Sequence, residues 1–285
     1  MNPRNITDSD FLPLTSVLLL APAMIHPTAI IHPAAQIEAS VSVGPYAVID
    51  ENVRAGPNCR IGPHVHLTGY TVIGADNVFF SGCVIGEAPQ DLRYRGQPTR
   101  LRIGDNNVFR EHVTVHRSNR EAEETVIGSQ GLLMAHCHVG HNARLGDSVI
   151  VANGALIAGH AEVQDQVFIS GNCLVHQFTR VGRLALMQGG SAVSKDLPPF
   201  CVARGDNGIC GLNSVGLRRA GFTLEQRMEL KRLYHALFRG GLNLNTALAG
   251  ARNQFRGDAA RELLHFLGAS KRGVCADTGK RREAE

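Results

Sequence analysis

The sequence predicts an all-β plus α protein: a left-handed parallel β-helix of hexapeptide repeats, followed by a C-terminal helical domain. Three observations lead to this fold class. Apolar residues recur at every sixth position, this recurrence stops near residue 198, and aromatic residues make up only 5% of the chain, with no Trp. A narrow column filled with aliphatic side chains needs less aromatic bulk than an ordinary globule.

The six-residue recurrence appears in three runs that share one spacing. They comprise Ile25, Ile31, Ile37, Val43, Ile49, Ala55, Ile61, Leu67, Ile73, Phe79 and Ile85; then Ile103, Phe109 and Val115; and finally Ile127, Leu133, Val139, Leu145, Val151, Ile157, Val163, Ile169, Val175, Val181, Met187 and Val193. Twelve apolar residues in one phase have odds of about 10⁻⁴ at this composition. A β-sandwich of unrelated strands would not keep one phase.

A period of six matches neither an α-helix nor a coiled coil. It matches a three-sided β-helix, in which the chain turns a corner every six residues and one aliphatic residue per face points inward. The inward positions predict roughly nine coils, which makes a prism about 40 Å tall. We therefore expect the β-helix to span residues 24–198.

Two breaks in the recurrence, at 86–102 and 117–125, predict loops that project from the prism. Insertions in a solenoid often lie on its binding face. The two loops are therefore candidate walls of an active site.

The remaining chain changes character. Thr223 followed by Gln226 forms a capping-box pattern, and apolar residues at helical spacing follow it. Further helices are expected over 243–256 and 258–268, within a helical domain of residues 199–270. Residues 271–285 are predicted to be a disordered polar tail. The sequence leaves open whether the helices pack beside the prism or clamp a ligand.

Composition narrows the function. The formal charge is +4 without a strongly basic block, so nucleic acid is not an expected partner, whereas an acidic protein partner suits this surface. The apolar run 11–23 is too short for a membrane span, and the preceding residues are not basic. Residues 1–23 are thus expected to form a flexible extension rather than a signal peptide. Seven cysteines without a C-x-x-C pair suggest reduced thiols and a cytoplasmic protein.

Seven of the 13 histidines lie between residues 112 and 176. Because one coil takes about 18 residues, His141, His160 and His176 are expected to form an axial line on one face. Three explanations remain open. The histidines could be surface residues, a metal site built on His136 and His141, or a general base with substrate-orienting imidazoles.

Several segments resemble the UDP-N-acetylglucosamine O-acyltransferase family. The match runs from about residue 25 to about residue 238, and its most specific pieces are IGEAPQDLRYRGQPTRLRIGDNN, VTVHR, GLLMAHCHVGHN, ALIAGH, VHQF, KDLPPF and GLNSVGLRRAGF. The hexapeptide recurrence is common to many transferases, whereas the first loop, the H-x-x-H turn and the last segment are much more specific to this family. The resemblance implies a homotrimer with active sites between adjacent prisms, without metal or organic cofactor. Its implied reaction moves an (R)-3-hydroxyacyl chain from acyl carrier protein to the sugar 3-hydroxyl, the first step of lipid A biosynthesis.

The resemblance also implies roles for particular residues. His141 would be the general base and the Gly159 N–H the oxyanion donor. Gly189 matches the position that limits acyl-chain length, where glycine favours a longer chain. The other matched residues would contact the substrates: Asp91, Arg93, His116, His138, His160, His176, Gln177, Asn213 and Arg219.

Departures from the family pattern are informative. Asn142 stands where Asp usually follows the base; its oxygen can hold one imidazole tautomer, but it supplies no charge. Arg93 replaces a usual Lys, while Val215 and Ala220 replace a carboxylate and a second Arg. These changes leave a 3-amino sugar open as the acceptor. The alternatives are the N-acyltransferase of the same pathway, a metal-dependent hydratase on the same prism, and a non-catalytic scaffold.

Overall fold

A computed structural model of the chain describes residues 24–279. The expected extension 1–23 and the last residues of the expected tail, 280–285, lie outside this range. Within it, three mostly parallel β-sheets form the sides of a prism, and four helices follow. The predicted three-sided β-helix is confirmed.

The chain visits the three sheets in turn, so each sheet collects every third strand. The first sheet has nine strands: Ile30–Ile31, Val48–Ile49, His66–Leu67, Val84–Glu87, Thr114–His116, His138–Val139, Leu156–Ile157, Leu174–Val175 and Ala192–Val193. The second has eight: Gln36–Ile37, Arg54–Ala55, Tyr70–Ile73, Arg100–Ile103, Glu124–Ile127, Arg144–Leu145, Glu162–Val163 and Arg180–Val181. The third has eleven: Ser42–Val43, Arg60–Ile61, Val78–Phe79, Val108–Phe109, Leu132–Leu133, Ile150–Val151, Phe168–Ile169, Leu186–Met187, Cys201–Ala203, Gly208–Leu212 and Ala276–Asp277.

The second residue of most two-residue strands points into the prism and is buried, as the six-residue recurrence predicts. Val139, Val151 and Ile157 have almost no exposed surface. Where the prism holds larger side chains they stack along its axis, as do the rings of Phe79 and Phe109, with centroids 4.7 Å apart. Each coil donates backbone hydrogen bonds to the next, so the interior is satisfied without a globular core.

The C-terminal part contains four helices: α1 (Ser214–Arg219), α2 (Leu224–Phe238), α3 (Leu244–Gln254) and α4 (Asp258–Gly268). The expected capping box is present, since Thr223 Oγ1 accepts from the Gln226 N–H and Gln226 Oε1 accepts from the Thr223 N–H. The helices share an apolar core that includes Leu184 and Phe200 of the prism. The helical unit therefore packs against the end of the prism.

Two expected boundaries differ from the structure. Residues 199–213 are not helical, because Cys201–Ala203 extends the third sheet and Gly208–Leu212 pairs with it in antiparallel fashion. The prediction of a disordered tail is wrong for Ala276–Asp277, which pairs with Gly208 and Ile209. The exposed edge of the hairpin supplies backbone partners that the polar sequence does not reveal.

Candidate active site

The corner between the first and second sheets, which we call the histidine corner, consists of residues 140–142, 158–160 and 176–178 on successive coils. Its turns place Asn142, His160 and Phe178 at φ values of 60°, 59° and 62°. This left-handed backbone costs roughly 1–2 kcal/mol for a residue with a Cβ. Hydrogen bonds between coils hold it, since the His160 N–H donates to the His141 carbonyl and the Phe178 N–H to the Gly159 carbonyl.

His141 lies directly against the backbone of Gly159 on the next coil. A Cβ added to Gly159 would come within 2.8 Å of both Cε1 and Nε2 of the His141 ring. Only glycine leaves room for the imidazole here. In the described part of the chain no group accepts a hydrogen bond from the Gly159 N–H, so this donor remains available beside the ring.

The side-chain amide of Asn142 fixes the orientation of His141. Its Oδ1 lies 2.9 Å from His141 Nδ1 and accepts from the Asn119 N–H at 3.0 Å. Its Nδ2 donates to Ser118 Oγ at 2.8 Å and to Glu123 Oε2 at 2.6 Å. Backbone N–H groups only donate and carboxylates only accept, so the amide has a single consistent orientation.

This orientation determines the tautomer of His141. Because Asn142 Oδ1 can only accept, the Nδ1 of a neutral His141 ring must carry the hydrogen. The Nε2 atom, next to Gly159, then presents a lone pair. The arrangement can accept a proton at Nε2 from a substrate hydroxyl.

His138 and His116, which are half-buried and buried, form a pair on the neighbouring strands of the first sheet, with ring centroids 4.7 Å apart. Burial, and then the neighbouring His116 and His141, lower the pKa of His138 to about 4. Burial also lowers the pKa of His116. His138 Nδ1 is 2.8 Å from Thr114 Oγ1. Both rings are therefore neutral near pH 7 and suit hydrogen bonding to a substrate rather than charge pairing.

His160 meets His141 edge-on, with ring centroids 5.1 Å apart, and stacks on Phe178 at 4.7 Å. The expected proximity of His141 and His160 on adjacent coils is confirmed. Burial, followed by the charge of a protonated His141, lowers the pKa of His160. The Phe178 ring is half exposed, so it offers an apolar surface at the edge of the corner.

The first loop, between the strands Val84–Glu87 and Arg100–Ile103, brings Asp91 to the same corner. Asp91 accepts from Asn119 Nδ2 at 2.7 Å and pairs with Arg93, whose side chain is largely exposed. Hydrogen bonds from Arg93, and then from Asn119, lower the pKa of Asp91 below its ordinary value. Asn119 Oδ1 is buried and finds no hydrogen-bond partner among residues 24–279. An unpaired acceptor beside a carboxylate suits a ligand with several donors.

The second loop, between Thr114–His116 and Glu124–Ile127, connects the first loop to the base. Asn119 contacts both Asp91 and Asn142, while Ser118 and Glu123 receive the two amide hydrogens of Asn142. The Glu123 carboxylate also lies 3.8 Å from His160 Nδ1 and 2.9 Å from Arg120. Both insertions thus lie at the histidine corner, as expected of site walls.

His176 and Gln177 lie one coil further along. Gln177 occupies the position of His141 and Gly159, and the Nδ1 of His176 is 3.2 Å from the Gln177 carbonyl. Arg272 approaches the same nitrogen at 3.5 Å. The expected axial line is therefore wrong for His176. Only 16 residues, rather than 18, separate it from His160, so it aligns along the prism axis with Gly140 and Ala158.

Three of the predicted residues do not lie at the histidine corner of this chain. Gly189 lies in the turn between the third and first sheets, and an added Cβ would meet only the Gly171 carbonyl oxygen, at 3.7 Å. Asn213 caps α1 and donates to the Leu184 carbonyl at the corner between the second and third sheets. Arg219 is the last residue of α1.

The residues of the suggested metal pair lie apart. His136 occupies the corner between the third and first sheets, at the far end of the strand His138–Val139 from His141, and stacks on His112 with centroids 5.1 Å apart. Within residues 24–279 no group of three or more His, Cys, Asp or Glu side chains is placed to hold a metal ion. Nor is any described helix both apolar and long enough to cross a membrane.

Comparisons with known proteins identify the family of the chain. A family profile described as "Udp N-acetylglucosamine O-acyltransferase; Domain 2" matches residues 196–275. The chain is 44% identical over 259 residues to the acyl-[acyl-carrier-protein]–UDP-N-acetylglucosamine O-acyltransferase of Herminiimonas arsenicoxydans, covering 88% of this chain and 99% of that protein.

Solved structures point the same way. UDP-N-acetylglucosamine acyltransferase from Francisella novicida is 34% identical, with a TM-score of 0.85 over 90% of this chain and 95% of that chain. The Campylobacter jejuni UDP-N-acetylglucosamine acyltransferase is 32% identical, with a TM-score of 0.84 over 89% and 99% of the two chains.

The fold and the relatives together define an acyltransferase built on a left-handed β-helix of hexapeptide repeats. More specifically, the chain belongs to the family of acyl-acyl-carrier-protein–UDP-N-acetylglucosamine O-acyltransferases.

Sequence reasoning missed three polar residues of the site, namely Ser118, Asn119 and Glu123. The break in the recurrence located their loop but gave no rule for which side chains turn inward. The one available signal was the presence of several hydrogen-bonding residues in an insertion next to the histidine segment.

Proposed function

We propose that the protein transfers an (R)-3-hydroxyacyl chain from acyl carrier protein to the 3-hydroxyl of UDP-N-acetylglucosamine, the first step of lipid A biosynthesis. The observation that carries this proposal is the fixed tautomer of His141, whose Nε2 lone pair lies beside the free Gly159 N–H. A base and an oxyanion donor side by side are what acyl transfer to a hydroxyl requires.

The reaction follows from these two groups. His141 Nε2 removes the proton of the sugar 3-hydroxyl while that oxygen attacks the thioester carbonyl carbon. The oxyanion of the tetrahedral intermediate accepts a hydrogen bond from the Gly159 N–H. When the intermediate collapses, the carbon–sulfur bond breaks and His141 returns the proton to the departing thiolate. One proton and one acyl group move, so these steps need no metal and no organic cofactor.

The neighbouring side chains bind the acceptor. Asp91 accepts from the sugar hydroxyls, with the buried Asn119 Oδ1 as a second acceptor beside it. The neutral rings of His138, His116 and His160 contact the substrates without competing as bases, because their pKa values are lowered. Gln177 and His176 line the cleft above His160, and the exposed Arg93 lies along the acyl donor.

A homotrimer completes the proposed site. Gly189 lies at the corner between the third and first sheets, Asn213 contacts the corner between the second and third sheets, and Arg219 ends helix α1, so a neighbouring copy would present them to the histidine corner. In that assembly Asn213 and Arg219 would face the nucleotide and Gly189 the end of the acyl chain. The open space beside Gly189 supports a long chain. We place this reaction in the cytoplasm.

The test incubates the purified protein with 3-hydroxyacyl carrier proteins of several chain lengths and two acceptors, UDP-N-acetylglucosamine and its 3-amino analogue. Product masses identify the acceptor and the chain. We expect an O-acylated product that disappears in His141→Ala. Preferential acylation of the amine would instead identify a 3-amino sugar as the acceptor, and activity that disappears on chelation would support the metal-dependent hydratase.

A further inference from the structure

The carboxylate that hydrogen bonds connect to the base belongs to the second loop rather than to the turn that carries the base. Glu123 Oε2 accepts from Asn142 Nδ2 at 2.6 Å, and the same amide accepts at Oδ1 from His141 Nδ1. A continuous chain therefore runs from the Glu123 carboxylate through the Asn142 amide to the imidazole. The second oxygen of Glu123 pairs with Arg120.

We propose that Glu123 is a positioning residue for the base, supplying through the Asn142 amide the negative charge that stabilises His141 when it accepts a proton. This inference rests on the proposed function, because it assigns a role within the same proton transfer. An amide placed between a carboxylate and an imidazole is polarised by the carboxylate, which makes Oδ1 a stronger acceptor for the Nδ1–H.

Ser118 makes the chain directional. Its hydroxyl donates to the Arg120 carbonyl at 2.9 Å, so its oxygen is left to accept from Asn142 Nδ2. Both hydrogens of the amide therefore point toward the second loop. A rotated Asn142 would place its oxygen against the Glu123 carboxylate, and this repulsion keeps the Oδ1 toward His141.

Glu123 is charged at the pH of the reaction. Burial raises the pKa of its carboxyl, but hydrogen bonds from Arg120 and Asn142 outweigh burial and lower it overall. Glu123 also lies 3.8 Å from His160 Nδ1, so the same carboxylate interacts directly with His160 and, through Asn142, with His141. The other charged or titratable groups that face these rings are Asp91, His116, Arg120 and His138.

Glu123→Gln removes the charge and keeps an oxygen that can accept from Asn142. We expect kcat to fall about tenfold while the KM for the sugar nucleotide stays within about twofold, because the effect is on proton transfer. The acid limb of kcat/KM should move to lower pH, since a base without its carboxylate binds a proton less readily. Glu121→Gln, in the same loop and exposed, is the matched control and should match the wild type.

A second variant separates charge from shape. Asn142→Asp places a carboxylate oxygen 2.6 Å from Glu123 Oε2, where two like charges cannot both be accommodated, so activity should fall. Adding Glu123→Gln removes the conflict and puts the charge next to His141. The double variant should be more active than Glu123→Gln alone, because it restores a carboxylate beside His141, which a purely structural role for Glu123 does not predict.

Imidazole NMR of histidine-labelled protein provides a readout that needs no turnover. In Glu123→Gln the titration midpoint of His160 should fall, because the carboxylate raises the pKa of that ring. If the wild type transfers no acyl group, the proposed function is wrong, whatever this titration shows. If the wild type is active but Glu123→Gln leaves kcat, the acid limb and the His160 midpoint unchanged, or the double variant is no better than Glu123→Gln, the positioning role is wrong.

Discussion

Two corners of the prism carry pairs of histidines with the same ring spacing, yet the two pairs have different surroundings. At the corner between the third and first sheets, His112 and His136 adopt φ values of 58° and 61° and stack 5.1 Å apart. At the histidine corner, His141 and His160 also lie 5.1 Å apart. Residue type and ring spacing therefore do not distinguish the two.

The difference lies in what surrounds the rings. The two inserted loops both return at the histidine corner, where the second loop holds the Asn142 amide that contacts His141 and gives His160 a carboxylate. Within residues 24–279, the side chains of His112 and His136 make no hydrogen bond. The solenoid therefore sets the spacing of the imidazoles, whereas the insertions supply the polar and charged side chains around them.

The sharpest test replaces one histidine from each corner. His141→Ala should lower kcat by about 10³-fold, because it removes the proposed general base. His136→Ala should leave kcat within about twofold, since its ring lies at the other corner. Steady-state rates for acyl transfer would compare the two. Equal losses would mean that the corners are not functionally distinct.

Gly159→Ala tests the close approach at the histidine corner. The new methyl group would lie 2.8 Å from the His141 ring and push it away from its productive position. A misplacement of this kind should reduce kcat by about 10²-fold. Gly250→Ala in α3, where an added Cβ meets nothing within 4 Å, is the matched control and should keep full activity. A fully active Gly159→Ala would contradict the tight packing of base against backbone.

The lowered pKa of His138 should make the stability of the fold depend on pH. The folded-state pKa of His138, about 4, is below that of an unfolded histidine, so the unfolded chain binds more protons between about pH 4 and 6.5. Stability should therefore fall as the pH falls through this window, by the order of 3 kcal/mol when complete.

Thermal unfolding of the wild type and of His138→Gln between pH 7.5 and 5 would measure this effect. The variant should lose part of the pH dependence, and His136→Gln should keep it. The same dependence in all three proteins would assign it to other groups.

The smallest expected effect concerns the acyl chain. Gly189→Met should shift the product distribution toward shorter chains with kcat changed by less than about threefold, because its side chain would fill open space. Product masses from a mixture of acyl donors would report the shift. An unchanged distribution would mean that the chain end lies elsewhere.

The sequence predicted the prism closely because its period is set by local geometry. An inward aliphatic residue at every sixth position leaves the chain few other ways to bury its apolar side chains. The same periodicity placed His141 beside His160, one coil plus one residue apart. The capping box of α2 was predictable for the same reason, because Thr223 and Gln226 satisfy each other locally.

The rest depended on contacts that have no period. Glu123 and Asn119 reach the site from an irregular loop, and their roles emerge only from the direction in which each side chain turns. The strand Ala276–Asp277 was missed because its partner Ile209 is distant in sequence. His176 was misplaced because only 16 residues separate it from His160, two fewer than one coil, so the two side chains do not align along the prism axis.

The pairing register shows how much the scaffold tolerates. An ordinary coil pairs residues 18 apart, as His138 does with Leu156, whereas Thr114 pairs with Val84 across 30 residues and with His138 across 24. The stack passes through both insertions without a break in the inward apolar column. Loop length at this corner can therefore vary while the imidazoles keep their places. A change in an inserted loop could thus admit a different acceptor without altering the β-helix.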